Sequence, residues 1–139
     1  MPAFVDTNIL VYAEDRDAKA KHEVARDLVL GLWRDRSGVL SVQVLQEFYV
    51  TVTRKLKKPL APARARAAVG EYLTWTVVEN TGPLLLDAME LQQESRLSFW
   101  DALVVQAALE AGCDTLWSED LNAGQRFGSL LVVNPFRGP

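Results

Sequence analysis

One cysteine and one histidine in 139 residues leave little room for several kinds of chemistry. A lone Cys113 cannot close an intrachain disulfide, and Cys113 with His22 supplies too few thiolate and imidazole ligands for a zinc site. No apolar run approaches the roughly 20 residues that a membrane-spanning helix needs. No basic leader precedes the first apolar stretch either, so the expectation is a cytoplasmic protein without a membrane partner. Charge of one sign is not in large excess: the net charge of −3 gives no support by itself to a polyanionic partner. Cys113 lies between Gly112 and Asp114 at a helix-to-strand junction and reads as a buried small hydrophobe. His22 falls outside the apolar stripe of its helix and reads as a surface residue.

What is present is ordinary globular material. Apolar residues make up 49% and charged residues 24%, too apolar a mixture for long disorder. A chain of this length suits one domain over 1–139, with roughly two-thirds of its unfolded surface buried. The distribution of charge says more than its sum. Residues 54–66 hold Arg54, Lys55, Lys57, Lys58, Arg64 and Arg66 and no acid, leaving nine basic against 18 acidic residues elsewhere. Such a strip is either a solvated helix end and loop or a surface that holds a polyanion near acidic chemistry.

The periodicity alternates between strand and helix. Ala3–Val5 is short and apolar, as in a buried parallel strand, and is followed at once by Asp6-Thr7-Asn8. Ala18–Arg36 carries Ala25, Leu28, Val29, Leu32 and Trp33 at helical spacing, and Val39-Leu40 begins a second strand. Ser41 is placed to cap a helix over Val42–Leu56 with a core stripe of Leu45, Phe48, Val52 and Leu56. Helices are expected at 63–73, 84–96 and 99–111, the last capped by Ser98 and closed by Gly112. Strands are expected at 75–78, 115–117 and 130–133. This alternation predicts an α/β fold with a largely parallel five-stranded central sheet flanked by helices.

In a parallel sheet with right-handed crossovers, the carboxyl ends of the strands share one edge, where open α/β sheets bind ligands. Asp6 closes the first strand, Glu47 lies in the turns after the second, Asp101 is in the first turn of the helix opened by Ser98, and Asp120 follows the fourth. Each has a structural alternative: Asp6 as a turn cap, Glu47 as a helix-surface acid, Asp101 in a variant capping box, Asp120 in a polar loop. Together they are harder to set aside, because like charges at 4 Å repel by about 4 kcal/mol at an effective dielectric near 20. Protonation of some of them or binding of divalent cations offsets that repulsion. Without a histidine or thiolate cluster, an all-oxygen site suits Mg²⁺ or Mn²⁺, one or two ions. Such ions polarise a phosphodiester, activate a water and stabilise the leaving oxygen.

Four segments carry a resemblance to a known family: Val5-Asp6-Thr7-Asn8-Ile9-Leu10-Val11-Tyr12-Ala13, Gln46-Glu47-Phe48, Ser98-Phe99-Trp100-Asp101-Ala102-Leu103, and Leu116-Trp117-Ser118-Glu119-Asp120-Leu121-Asn122. In this order, over essentially the full chain, the sequence resembles the PIN-domain ribonucleases, in particular the VapC-type toxins of bacterial toxin–antitoxin pairs. The resemblance implies a three-layer PIN-like sandwich and an endoribonuclease that leaves 5′-phosphate and 3′-hydroxyl ends. It implies Asp6, Glu47, Asp101 and Asp120 as the acidic site, with Asp6, Asp101 and Asp120 as ligands of Mg²⁺ or Mn²⁺. Thr7, Asn8 and Ser118 match the small polar positions that support those ligands. Glu119, adjacent to Asp120, is the competing fourth acid, and the family's Ser/Thr-x-Asp pattern favours Asp120. The implied partners are a structured RNA, a small antitoxin and a second copy of the chain as a homodimer. The rival expectation is a non-catalytic PIN-like module whose acidic pocket accepts a basic segment of a partner. Trp100 is left open between a core role and stacking on a base.

Overall fold

Phe4 and Val5 have no solvent exposure and Ala3 has little, because the strand they form, β1 (Ala3–Val5), is paired in parallel on both sides. The computed structural model describes residues 1–137 and shows the remaining elements in chain order. They are α1 (Thr7–Glu14), a single 3-10 turn (Arg16–Ala18), α2 (Ala20–Asp35), β2 (Gly38–Ser41), α3 (Val42–Arg54), α4 (Pro62–Tyr72), β3 (Thr76–Val78), α5 (Gly82–Ser95), α6 (Phe99–Glu110), β4 (Thr115–Trp117), β5 (Arg126–Phe127) and β6 (Leu130–Val133). The expected single domain over 1–139 includes two residues, 138 and 139, that lie outside the described part.

The sheet has six strands in the order β3-β2-β1-β4-β6-β5. All pairings are parallel except β5 with β6. The five expected strands are present, and the expected number is corrected by β5. That strand has only two residues and pairs with β6 across the Phe127–Leu130 hairpin, whose Gly128 sits at φ 61. Two residues are too few to show an alternation.

A second correction lies in α1, which the sequence reading leaves unassigned. Its residues Ile9, Leu10, Val11 and Tyr12 form one apolar run, in which helix and strand periods look alike. Asp6 decides between them: its Oδ1 accepts from the Thr7 amide at 2.8 Å and starts the helix.

Elsewhere the stripes fall as expected. Ala25, Val29 and Leu32 of α2 and Leu45, Phe48 and Val52 of α3 are buried. Ser41 Oγ caps α3 by accepting from Val44 N, and Ser98 Oγ caps α6 by accepting from Asp101 N. α6 buries Ala102, Leu103, Val104, Val105, Ala107 and Ala108, which cover more than one face, as in a helix enclosed by its neighbours. At the amino-terminal edge Trp33, Tyr72, Trp75 and Phe48 form an aromatic cluster. Trp75, expected in β3, precedes it and lies over β2, where a Cβ on Gly38 would stand 2.2 Å from its ring. Cys113 is buried, as expected, and burial pushes its thiol up to about 11. No helix among the described residues is long and apolar enough to cross a membrane.

Candidate active site: an acidic edge at the switch point of the sheet

From β1 the chain builds outward to β2 and β3, then returns to the other side of β1 with β4, so the strand order reverses between β1 and β4. That is where a crevice opens in a doubly wound sheet. Asp6 follows β1 there, and its amide donates to Trp117 O, the last residue of β4, at 2.9 Å. One residue on, the Ser118 hydroxyl donates to Asp6 Oδ2 at 2.8 Å and accepts from the amides of Asp120 and Leu121 at 3.2 and 3.3 Å. Ser118 is fully buried, and its one hydroxyl ties the two strand ends together with its own hydrogen-bonding capacity used.

Asn8, in the first turn of α1, reaches across the same gap. Its Nδ2 donates to Asp6 Oδ2 at 3.4 Å and to Asp120 Oδ2 at 3.1 Å, while its Oδ1 accepts from Glu119 N at 3.1 Å. An uncharged donor thus stands between two carboxylates. It offsets only part of their repulsion: burial above all, and then the charges of Asp120 and Asp101, raise Asp6 to about 6 against the hydrogen bonds from Ser118 and Thr7.

Glu47 and Asp101 stand further along the edge. Partial shielding raises the Glu47 carboxyl, and the charge of Asp101 adds to that, while a hydrogen bond from Gln43 and the charge of Lys55 oppose it. Gln43 is buried, and its Nε2 donates to Glu47 Oε1 at 3.0 Å and to Trp100 O at 3.2 Å, joining α3 to the first turn of α6. The sequence reading missed Gln43. Its signal is the four-residue spacing to Glu47, which puts both side chains on one helix face.

Asp120 and Glu119 are separated in role by their partners. Glu119 accepts from Tyr12 Oη at 2.7 Å and is ion-paired with Lys21, which also stands over the rings of Tyr12 and Phe136. Burial pushes Glu119 up, but the bonds from Lys21 and Tyr12 outweigh it and hold the carboxyl below its usual range. Asp120 is exposed and has only the Asn8 amide. Glu119 is thereby committed to fastening the loop, and Asp120 faces Asp6.

Among the described residues, no three His, Cys, Asp or Glu side chains stand close enough together to hold a metal ion in their present positions. The donor set nonetheless suits a hard divalent cation. It consists of carboxylate oxygens alone, with a repulsion felt at Asp6, and the adjoining Thr7 Oγ1 is buried with no hydrogen-bond partner. His22 is half-buried rather than on the surface: its Nδ1 lies 2.9 Å from Tyr12 O, a contact that requires a proton on that nitrogen.

The strip at 54–66 is exposed at all six of its basic residues. Arg64 lies 3.8 Å from Glu14; among the described residues Arg54, Lys55, Lys57, Lys58 and Arg66 have no ion-pair partner.

The sequence model of the PIN domain family matches residues 3–125. Ribonuclease VapC24 of Mycobacterium tuberculosis strain H37Rv is 29% identical to this chain, over 94% of the chain and 94% of the relative. Three solved structures share the fold. The Toxin-antitoxin complex from Klebsiella pneumoniae is 19% identical at a TM-score of 0.70, over 96% of this chain and 98% of that one. VapBC2 from Rickettsia felis, bound to a DNA fragment from their promoter, is 20% identical at 0.65, over 95% and 97%. Mycobacterium tuberculosis VapC20, a Sarcin-Ricin loop cleaving toxin, is 23% identical at 0.62, over 82% and 86%.

Proposed function

This chain belongs to the PIN domain family, and from that premise we propose that it is an endoribonuclease acting as the toxin of a toxin–antitoxin pair. The observation that carries the reading is the meeting of Asp6 and Asp120 across Asn8 at the switch point, with Asp101 close enough to raise Asp6 and Glu47 close enough to feel Asp101.

In this reading Asp6, Asp101 and Asp120 hold Mg²⁺ or Mn²⁺, and Glu47 orients the attacking water. The cation, when bound, supplies Lewis acidity toward the phosphodiester and lowers the pKa of its water. The chain's own residues do the rest. Ser118 and the Thr7 amide fix both oxygens of Asp6, Asn8 spaces Asp6 from Asp120, and Gln43 holds Glu47 toward the first turn of α6. Lys55, whose charge reaches Glu47, belongs to the basic strip that would lie along the RNA backbone. In-line attack leaves 5′-phosphate and 3′-hydroxyl ends. A small antitoxin as inhibitor, a homodimer, a single domain over 1–139 and a cytoplasmic setting belong to the same proposal.

The experiment is cleavage of total cellular RNA in Mg²⁺ or Mn²⁺, with mapping of the new ends, by the wild type and by Asp6→Asn and Asp101→Asn. Metal-dependent cuts that vanish in both variants support the reading. Undiminished cleavage in the variants, or 2′,3′-cyclic phosphate ends, contradicts it.

A further inference from the structure

Trp100 has the highest exposure of any aromatic side chain among the described residues, 63%. Of the other tryptophans, Trp33 and Trp75 belong to the aromatic cluster at the far edge and Trp117 is half-buried at the end of β4. A single exposed hydrophobic residue is commonplace. What sets Trp100 apart is how firmly its backbone is held and to what.

Its carbonyl accepts from Gln43 Nε2 at 3.2 Å, and the same NH₂ group donates to Glu47 Oε1 at 3.0 Å. Both amide hydrogens are used, and Gln43 is only 6% exposed, so the side chain has little freedom to leave. On the other side, Asp101 N is fixed by the Ser98 cap at 3.1 Å. The indole meets the Phe99 ring edge-on, with centroids 5.2 Å apart at 70°, which limits its swing while leaving most of it in solvent. The backbone that carries this open ring is therefore one amide group from Glu47 and one residue from Asp101.

Resting on the endoribonuclease reading, we propose that Trp100 is the substrate-positioning residue of this edge, stacking on an unpaired base beside the phosphodiester to be cut, with Gln43 keeping its backbone in register with Glu47. An aromatic face stacks on any base, so the contact selects for an unpaired nucleotide rather than for a sequence. It turns the enzyme toward loops and bulges and away from duplex stems, whose bases are already stacked on one another.

The test has two arms. In the first, intrinsic fluorescence is followed as a single-stranded RNA oligonucleotide of mixed sequence is added in Ca²⁺, with the same oligonucleotide in a duplex as control. Quenching by the single strand that is lost in Trp100→Ala and absent with the duplex is the expected result; equal quenching in the variant, or none in the wild type, overturns the proposal.

In the second arm, single-turnover cleavage is measured on a synthetic RNA hairpin that carries a mapped cut site, with and without an abasic nucleotide beside the cut. Trp100→Ala raises the RNA concentration needed for half-maximal rate by about ten- to a hundredfold, and Trp100→Phe restores it to within about threefold. The abasic nucleotide weakens the wild type similarly and costs Trp100→Ala nothing more. Gln43→Met weakens RNA use and lowers the maximal rate as well, since it also releases Glu47. An unchanged concentration dependence in Trp100→Ala overturns the proposal. So does a change in sedimentation of Trp100→Ala, which assigns the ring to a contact with a second copy. A wild type that cleaves no RNA defeats the ribonuclease reading, and the fluorescence arm then decides the stacking alone.

Discussion

Ser118 and Asp6 are 112 residues apart in the chain and 2.8 Å apart in the fold, and the hydroxyl between them joins the ends of the two central strands. Replacing Ser118 by Ala removes a donor from a buried carboxylate and orphans two amides. Groups left unsatisfied in the interior cost about 1–3 kcal/mol each, with sharing and relaxation reducing the sum. Urea unfolding of Ser118→Ala is expected to show a loss of about 2–4 kcal/mol, against little change for a surface Ser129→Ala control.

Asp6 is a carboxyl whose folded pKa lies above its unfolded one, the reverse of a salt-bridged aspartate. Between 3.8 and about 6 the folded protein binds the Asp6 proton more tightly than the unfolded chain does. Its contribution to stability is therefore most favourable below 3.8, is lost as pH rises through that window, and is absent above about 6. The span corresponds to about 3 kcal/mol, an order of magnitude only. In EDTA, Asp6→Asn is expected to be more stable than the wild type at neutral pH, with the advantage shrinking toward pH 4. Parallel stability–pH curves for the two proteins, from urea titrations at each pH, would contradict the assignment.

Tyr12 and Lys21 both bind Glu119, and magnitudes separate them. The Lys21 pair is substantially exposed, with side chains 45% and 23% accessible, and exposed pairs are worth about 0–1 kcal/mol. The Tyr12 hydroxyl meets a charged acceptor in a more sheltered place, a class of bond worth about 1.5–3 kcal/mol. Tyr12→Phe should thus cost more stability than Lys21→Met, and cleavage rates should fall in the same order as the Asp120 loop loosens. Equal losses in calorimetric melts, or a larger one for Lys21→Met, would contradict that ranking.

Gly38 is required by the indole above it. A methyl group there would stand 2.2 Å from the Trp75 ring, so Gly38→Ala is expected to cost about 1–3 kcal/mol through overpacking. In Gly38→Ala with Trp75→Leu the two losses should fall well short of adding, which a double-mutant cycle of urea midpoints checks. Strict additivity would mean that the ring moves aside at no cost.

Much of this is legible in the sequence itself. Helix stripes such as Leu45-Phe48-Val52 have a period that survives context, and the strand-to-carboxylate order follows from parallel topology once the strands are recognised. Ser98 and Asp101 even share a cap of the kind their spacing announces. α1 escapes a reading by period because Ile9 to Tyr12 is apolar at every position, and β5 because two residues carry no period. The pairing of Asn8 with Asp120 and of Tyr12 with Glu119 spans more than a hundred residues in each case, so no local pattern contains it. The Ser/Thr-x-Asp pattern favours Asp120 over Glu119 as the fourth acid, and the contacts of Glu119 with Tyr12 and Lys21 support that preference. The exposure of Trp100 likewise depends on what α6 leaves uncovered, which its own apolar surroundings in sequence conceal.

Asp6, Asp101 and Asp120 are proposed to form one cation-binding edge with Glu47 beside it, and a thermal melt with increasing Mn²⁺ tests this most directly. Binding at a hundredfold excess over the dissociation constant stabilises the folded state by about 2.7 kcal/mol, a rise of several degrees for a chain of this size. The account predicts that rise in the wild type and its loss in Asp101→Asn, whose metal-free melting point stays at or above that of the wild type. A wild type that does not respond to Mn²⁺ or Mg²⁺, or an Asp101→Asn variant that responds equally, would contradict it.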